Sequence, residues 1–160
     1  MNDLSHIGPD GRARMVDIGS KAETERTAIA AGLVRMAPNT LQRALSRDTK
    51  KGDPIAIAEL AGIMGSKRTS DLIPLCHPLP LSSVTVSIER EGGADALRVI
   101  ATAKTTGRTG VEMEALTAVS IACLTLYDML KAIDKAMVIE GIELIEKTGG
   151  KSDDYRKPAS

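Results

Sequence analysis

The stretch that decides the fold is residues 109–135, TGVEMEALTAVSIACLTLYDMLKAIDK. Its composition predicts one long helix, and between residues 115 and 126 the apolar side chains occupy nearly the whole circumference. A helix of this kind is buried on more than one side. Because a single sheet covers only one side, a second subunit is the expected cover for the other. The apolar block 115–127 contains Thr and Ser and is too short to span a bilayer.

Strand patterns lie on both sides of this helix in the chain. Before it, SSVTVSIER and ALRVIATAKT alternate with period two, and the glycine-containing stretch 91–95 between them predicts a hairpin. After it, MVIEGIELIEK predicts a strand. Nearer the N-terminus, RMVDI predicts a short strand. TAIAAGLVRM is interpreted as a strand as well, although its alanines also suit a helix.

Two further helices are predicted between these strands. NTLQRALS, after Pro38, predicts a short helix, and KGDPIAIAELAGIMGSKR predicts a longer one with Asp53 as N-cap and Pro54 in the first helical position. This order of elements predicts a single α+β domain over residues 1–160, with an antiparallel sheet and helices on one face. The ends, about 1–12 and 150–160, are expected to be flexible.

Composition argues against several classes of protein. The 21 Lys and Arg residues equal the 21 Asp and Glu residues, so the basic excess of a nucleic-acid-binding protein is absent. With no Trp, no Phe and two Tyr, a platform for stacking bases is not expected either. Two distant cysteines and no visible secretory leader predict a cytoplasmic protein with reduced thiols and no membrane partner.

The segment 71–81, DLIPLCHPLPL, places Cys76 and His77 between prolines. Proline keeps such a stretch out of helices and central strands. His77 either caps a backbone carbonyl or acts as an acid, a base or a phosphate ligand, and the rigid frame favours the second interpretation. Cys76 lacks an evident activating base. Zinc needs three or four His or Cys ligands, and two of the four in this chain are remote, so no metal is expected.

The start of the long helix offers two interpretations of its acidic residues. Thr109 followed by Glu112 fits a capping box. Alternatively, the free amides of the helix start form an anion site, with Glu112 and Glu114 close by. Two carboxylates beside an anion would repel it unless lysines join them or one carboxylate takes up a proton.

The far end of the same helix carries a second charged group. Asp128, Lys131 and Lys135 share a face. They form either a surface ion pair or a carboxylate poised for proton transfer beside a phosphate-binding lysine. Glu112 and Asp128 are sixteen residues apart, roughly 24 Å along a helix, and point to nearly opposite sides. If both serve one small ligand, two subunits must build the site.

The remaining cations of interest are either solvated or gathered around a phosphate-rich small ligand. They are Lys21, Arg26, Lys51, Lys67, Arg68, Lys147 and Lys151.

Five motifs carry a resemblance to a known family. KGDP, LIPLCHPLPLS, TGRTGVEMEALTAVS, YDMLKA and GGKS occur here in the order and spacing of the molybdenum cofactor biosynthesis protein C family, the cyclic pyranopterin monophosphate synthases. The resemblance covers about residues 5–155. It implies a ferredoxin-like α+β fold, a homohexamer made of three dimers, active sites at dimer interfaces, and no cofactor. It also implies that a 3′,8-cyclo-7,8-dihydro derivative of guanosine triphosphate is converted to cyclic pyranopterin monophosphate with loss of pyrophosphate.

Site residues follow from the matching motifs. The resemblance implies that Asp128 is the catalytic acid or base and that Lys51 and Lys131 are its essential partners. The resemblance also implies that Leu75, Cys76, His77, Glu112, Met113 and Glu114 line the substrate. Arg26, Lys67 and Lys147 lie outside the five motifs and are expected to bind the substrate as members of the set of cations named above. One departure is Asp153, where the family usually has Gly, and this leaves the placement of Lys151 open.

Two alternatives to an enzyme remain from the residues alone. One is a non-catalytic oligomeric protein that binds nucleotides or phosphate metabolites and regulates. The other is a structural assembly protein whose motifs serve only its interface. Only the enzyme requires Asp128.

Overall fold

The computed structural model describes residues 4–158 as one five-stranded antiparallel sheet with helices on one face. In chain order the elements are β1 (Thr24–Arg35), α1 (Pro38–Leu45), α2 (Pro54–Ser66), α3 (Thr69–Leu72), β2 (Leu81–Arg90), β3 (Ala96–Gly107), α4 (Glu112–Leu130), β4 (Val138–Thr148) and β5 (Tyr155–Arg156). The strand order is β2-β3-β1-β4-β5. Apart from β5, this is the βαββαβ arrangement of a ferredoxin-like fold, so the expected fold is confirmed.

The core lies between the sheet and helices α2 and α4. Along β3, alternate residues from Leu97 to Thr105 are buried, while Lys104 and Thr106 on the opposite face are exposed. This alternation is the period of a strand with one covered face. The helix face is therefore the buried one, and α4 lies across β1 and β3.

Helices α2 and α4 run antiparallel and touch closely. The Asp53 carboxylate accepts hydrogen bonds from the Ile55 and Ala56 amides and Pro54 begins α2, which confirms the predicted start. At Gly62 a Cβ atom would lie 2.8 Å from the backbone oxygen of Ala118. Only glycine permits this approach. Because the two helices run antiparallel, the residues before α2 lie at the C-terminal end of α4, where Lys51 contacts Asp128.

Helix α4 is shorter than the stretch that predicted it. It begins at Glu112 and ends at Leu130, because Lys131 caps it and the chain turns towards β4. By length and composition alone α4 could cross a membrane, but half of its most apolar window is buried inside the fold. It packs against the sheet and α2, as the core helix of a domain does.

The short strand predicted for RMVDI is wrong. Residues 14–18 run without strand pairing, and the segment ends in a turn in which the Asp17 carboxylate accepts a hydrogen bond from the Gly19 amide, so Asp17 serves the turn rather than a strand. The strand interpretation of TAIAAGLVRM is confirmed within β1, and the hairpin at 91–95 joins β2 to β3. The C-terminal segment adds β5 beside β4. Flexibility of the chain ends stays a prediction.

Part of the helical layer exposes apolar side chains. Leu60 and Met64 of α2 are 59% and 60% exposed, and Leu124 of α4 is 56% exposed. These residues lie on the sides of α2 and α4 that the sheet does not cover. They are the surface that the sequence predicts a second subunit to bury.

Candidate active site

Three charged side chains meet at the C-terminal end of α4. The Lys131 ammonium lies 2.7 Å from Asp128 Oδ1, and the Lys51 ammonium lies 3.6 Å from Oδ2. Lys51 also donates a hydrogen bond of 3.1 Å to the Asp128 backbone oxygen. The structure therefore brings together the three residues that the sequence predicts to be catalytic. Lys135, predicted to share their face, lies beyond the end of the helix.

The two lysines set the charge of this cluster. The hydrogen bond from Lys131 and its charge, with that of Lys51, hold the pKa of Asp128 below its usual range. The same bond raises the pKa of Lys131. Asp128 is therefore a carboxylate at neutral pH, able to accept a proton, and Lys131 stays cationic, able to bind phosphate oxygens.

A cavity of about 370 Å³ opens at the other end of α4. The proline-rich segment contributes one wall, with Leu75, Cys76 and His77, and the start of α4 contributes another, with Glu112, Met113 and Glu114. All six of these predicted substrate-binding residues line this one cavity. Its volume suits a small molecule of the size of a bicyclic or tricyclic ring system.

Glu112 does not act as the partner in a capping box. The cap position of α4 is Val111, with no side-chain hydrogen bond, and the Glu112 carboxylate instead lies 2.9 Å from the Lys147 ammonium. Lys147 lies on β4, beside the start of α4. The capping-box interpretation of Thr109 and Glu112 is therefore wrong, because the nearby lysine of the sheet is the stronger partner for a carboxylate.

Burial shifts the titration of Glu114, an acidic residue of the larger cavity, towards neutral pH. The side chain is only 4% exposed, and burial, with the neighbouring charge of Glu112, raises its pKa to about 7. Burial and the Glu114 charge also raise the pKa of the Cys76 thiol. Cys76 is therefore a thiol rather than a thiolate at neutral pH, which argues against a nucleophilic role.

A second, smaller cavity of about 120 Å³ is cationic. Lys21, Arg26 and Lys151 line it together with the turn at Gly150. Arg26 is 8% exposed and donates its Nε hydrogen to the Gly107 oxygen at 2.9 Å, and its terminal nitrogens lie beside Gly150. Lys21 lines both cavities, so the two are neighbours.

Two of the predicted substrate-binding residues, Lys67 and Lys147, line neither cavity. Lys147 contacts the larger cavity only through its ion pair with Glu112. Lys67 caps the C-terminal end of α2 and is exposed, with no ion pair in the part of the chain that the structure describes. The antiparallel packing of α2 and α4 nevertheless places it at the same end of the domain as the proline-rich segment.

Several lining residues have no counterpart among the predicted site residues. Ser5, His6, Val16 and Ile18 all lie at the larger cavity. They belong to a segment expected to be loose or to form a strand. The sequence indicates a site role for these residues only weakly: His6 is one of two histidines in the sequence, and Val16 and Ile18 are apolar residues in a polar stretch.

Metal binding has no geometric support in the described part of the chain. Across residues 4–158, no group of three or more His, Cys, Asp and Glu side chains is arranged to hold a metal ion. The expectation of a site without metal or cofactor stays a prediction.

Comparison with known proteins matches these motifs. A family model described as the MoaC family matches residues 15–150. Curated relatives from Brucella ovis, Brucella melitensis biotype 2 and Brucella abortus are each 60% identical over 152 residues, which is 95% of this chain and 92% of each relative. All three are named cyclic pyranopterin monophosphate synthase. With the ferredoxin-like fold and the motif residues grouped at the two ends of α4, the chain belongs to the MoaC family.

Proposed function

We propose that this protein converts a 3′,8-cyclo-7,8-dihydro derivative of guanosine triphosphate to cyclic pyranopterin monophosphate and pyrophosphate. Family membership and 60% identity confirm the enzyme class expected from the sequence, a lyase of molybdenum cofactor biosynthesis that makes cyclic pyranopterin monophosphate. The substrate, the roles of the residues and the sharing of the site between subunits are the proposed part.

The observation that carries the catalytic assignment is the Lys51–Asp128–Lys131 cluster. The reaction opens one ring, builds a pyran and closes a cyclic phosphate. In the last step a substrate hydroxyl attacks the α-phosphorus, its proton goes to a base, and the bond to the β-phosphate oxygen breaks. Asp128 is an ionised acceptor for that proton, and the ammonium groups 2.7 and 3.6 Å away stabilise charge on phosphate oxygens.

The cavity at the start of α4 suits the ring and sugar portion of the substrate. Its apolar side chains, Leu75 and Met113, offer contacts to ring faces, and His77 offers hydrogen bonds to ring or sugar atoms. Glu114, with a pKa of about 7, exchanges a proton readily at neutral pH. We assign it to proton transfer at the ring atoms.

The cationic cavity suits the phosphates. Arg26 presents a buried planar guanidinium, which pairs with phosphate oxygens in a bidentate way. Lys21 bridges this cavity to the larger one, so a ligand with rings in one cavity can extend its phosphates into the other. Lys151 joins them from the C-terminal turn, and Lys67 and Lys147 are proposed as further contacts at the same end of the domain.

The catalytic cluster and the cavity are at opposite ends of one helix. Glu112 and Asp128 are separated by roughly 24 Å along α4, which exceeds the reach of one small substrate. We therefore propose that each site takes the Asp128 cluster from one subunit and the His77 cavity from another. The half-exposed state of Asp128, at 59%, and the exposed apolar surface on α2 and α4 support such a partner.

The assembly proposed is a homohexamer of three dimers, acting in the cytoplasm without nucleic-acid or membrane partners. Neutral net charge supports the absence of a nucleic-acid partner. The burial of α4 supports the absence of a membrane partner.

A single-turnover experiment tests the function. The purified protein is mixed with the cyclised nucleotide, and the product mass and released pyrophosphate are followed over time. Conversion to cyclic pyranopterin monophosphate with one pyrophosphate per turnover is expected. Tight binding without conversion would instead support the non-catalytic regulator.

A further inference from the structure

We infer that His6 is a further substrate-binding residue, and that the N-terminal hairpin, residues 4–14, forms a wall of the larger cavity. The inference rests on the proposed function and extends it to a segment that the motifs do not reach. The proline-rich segment and the start of α4 line the same cavity, so a ligand in it can contact all three segments.

The backbone of His6 is held in place by the hairpin. Its carbonyl oxygen accepts a hydrogen bond of 2.9 Å from the Arg14 amide, and Ile7 pairs with Ala13 in an antiparallel bridge. Gly11 has a φ of +74°, which only glycine adopts easily, and makes the turn at the tip. His6 is therefore at the base of the hairpin, where its backbone is hydrogen-bonded to Arg14.

A second set of contacts fixes the following segment to the body of the domain. The Asp17 carboxylate accepts from the Gly19 amide at 2.8 Å, which forms a tight turn. Arg108 donates to the Gly19 oxygen at 3.0 Å, and this ties the turn to the loop that leads into α4. These contacts thereby hold Val16, Ile18 and the hairpin at the cavity that Glu112 and Glu114 also line.

The imidazole of His6 is available to a ligand. It makes no hydrogen bond to another group within residues 4–158, and it is exposed. The other titratable groups that line the cavity are Lys21, Cys76, His77, Glu112 and Glu114. Glu112 is already paired with Lys147, and Glu114 is buried.

Within residues 4–158, His6 and His77 are therefore two imidazoles of the same cavity that hydrogen-bond no other group. An imidazole donates from one ring nitrogen and accepts at the other, so it matches the mixed donor and acceptor edges of a heterocycle or a sugar. Because the cationic groups are gathered at the Lys21 side, the phosphates are directed there, and His6 is left to hydrogen-bond the ring and sugar portion.

The test compares two substitutions of one position. His6→Leu keeps a side chain of similar bulk and removes the hydrogen bonds, whereas His6→Gln keeps a donor and an acceptor. We expect His6→Leu to raise KM by about 10-fold, the loss typical of one ligand hydrogen bond, with kcat within about 2-fold. His6→Gln is expected to recover part of that loss. Arg12→Ala, on the same hairpin but away from the cavity, is the control and is expected to match wild type.

Binding of the cyclised nucleotide is measured separately by calorimetry. Each hairpin substitution is made in an Asp128→Asn protein, the parent, which does not turn over. Weaker binding for His6→Leu alone supports the inference. Equal binding by His6→Leu and the parent overturns it, as does equal weakening by Arg12→Ala, which would mean that the hairpin only supports the fold. If the wild type converts the nucleotide and His6→Leu in the wild-type background keeps its KM, the inference about His6 alone is refuted. A wild type that neither binds nor converts the nucleotide refutes the proposed function as well.

Discussion

Replacing Asp128 by Asn isolates proton transfer from every other role of this residue. Asn keeps the size of the side chain and removes its charge and its ability to accept a proton. A general base contributes about 10²–10⁴-fold to rate, so kcat is expected to fall by that factor. Removal of the carboxylate leaves the ammonium groups of Lys51 and Lys131 without their partner at 3.6 and 2.7 Å, and these cations then bind the phosphates at least as tightly.

The expected combination is therefore low turnover with retained or tighter binding. Single-turnover rates and calorimetric titration with the cyclised nucleotide measure the two quantities. Stability should change little, because the side chain is 59% exposed and exposed ion pairs contribute little. The matched control is Asp71→Asn, which breaks another exposed pair at i, i+3 spacing, with Arg68 at 3.3 Å. Turnover by Asp128→Asn equal to that of the control would return Asp128 to the role of a surface ion pair.

Two further predictions concern stability. Because burial raises the pKa of Glu114 from 4.5 to about 7, the folded state binds more protons than the unfolded state in that pH range, and wild type loses stability as pH rises through it. The melting temperature of Glu114→Gln should therefore rise relative to that of wild type between pH 4.5 and about 7. Parallel curves of melting temperature against pH would contradict the assignment. Gly62→Ala places a Cβ 2.8 Å from the Ala118 oxygen, so it should lower the free energy of unfolding in urea by about 1–3 kcal/mol in spite of the better helix propensity of Ala. The control is Gly92→Ala, whose Cβ would meet nothing within 4 Å. Equal effects of the two substitutions would refute the packing explanation.

Local patterns predicted most of the fold, because local chemistry determines those elements. The Asp53-Pro54 pair set the start of α2, and period-two alternation set β2 and β3. The strand at residues 14–18 was wrong because a strand also needs a partner strand, and these residues instead lead into the turn at Gly19 and line the larger cavity. The start of α4 was placed three residues early because Glu112 turns to Lys147, which is far away in the sequence.

The site was predictable where motifs carried it and not elsewhere. The structure brings Lys51 to Asp128 and Cys76 to Glu114 as the motifs imply. No local pattern links His6 to His77, which is 71 residues further along the chain. Only the path of the N-terminal segment across the fold brings them to one cavity.

The central claim is that two subunits build each site, and subunit mixing tests it most directly. His77→Ala and Asp128→Asn proteins, each inactive, are combined in equal amounts and allowed to exchange subunits. Random pairing makes half of the dimers mixed, and each mixed dimer holds one site with neither defect, so about a quarter of all sites should be intact. A shared site predicts that activity rises towards a quarter of wild type. If mass spectrometry shows exchange while activity stays at the level of the separate mutants, Asp128 and His77 do not come from different subunits and the claim is wrong.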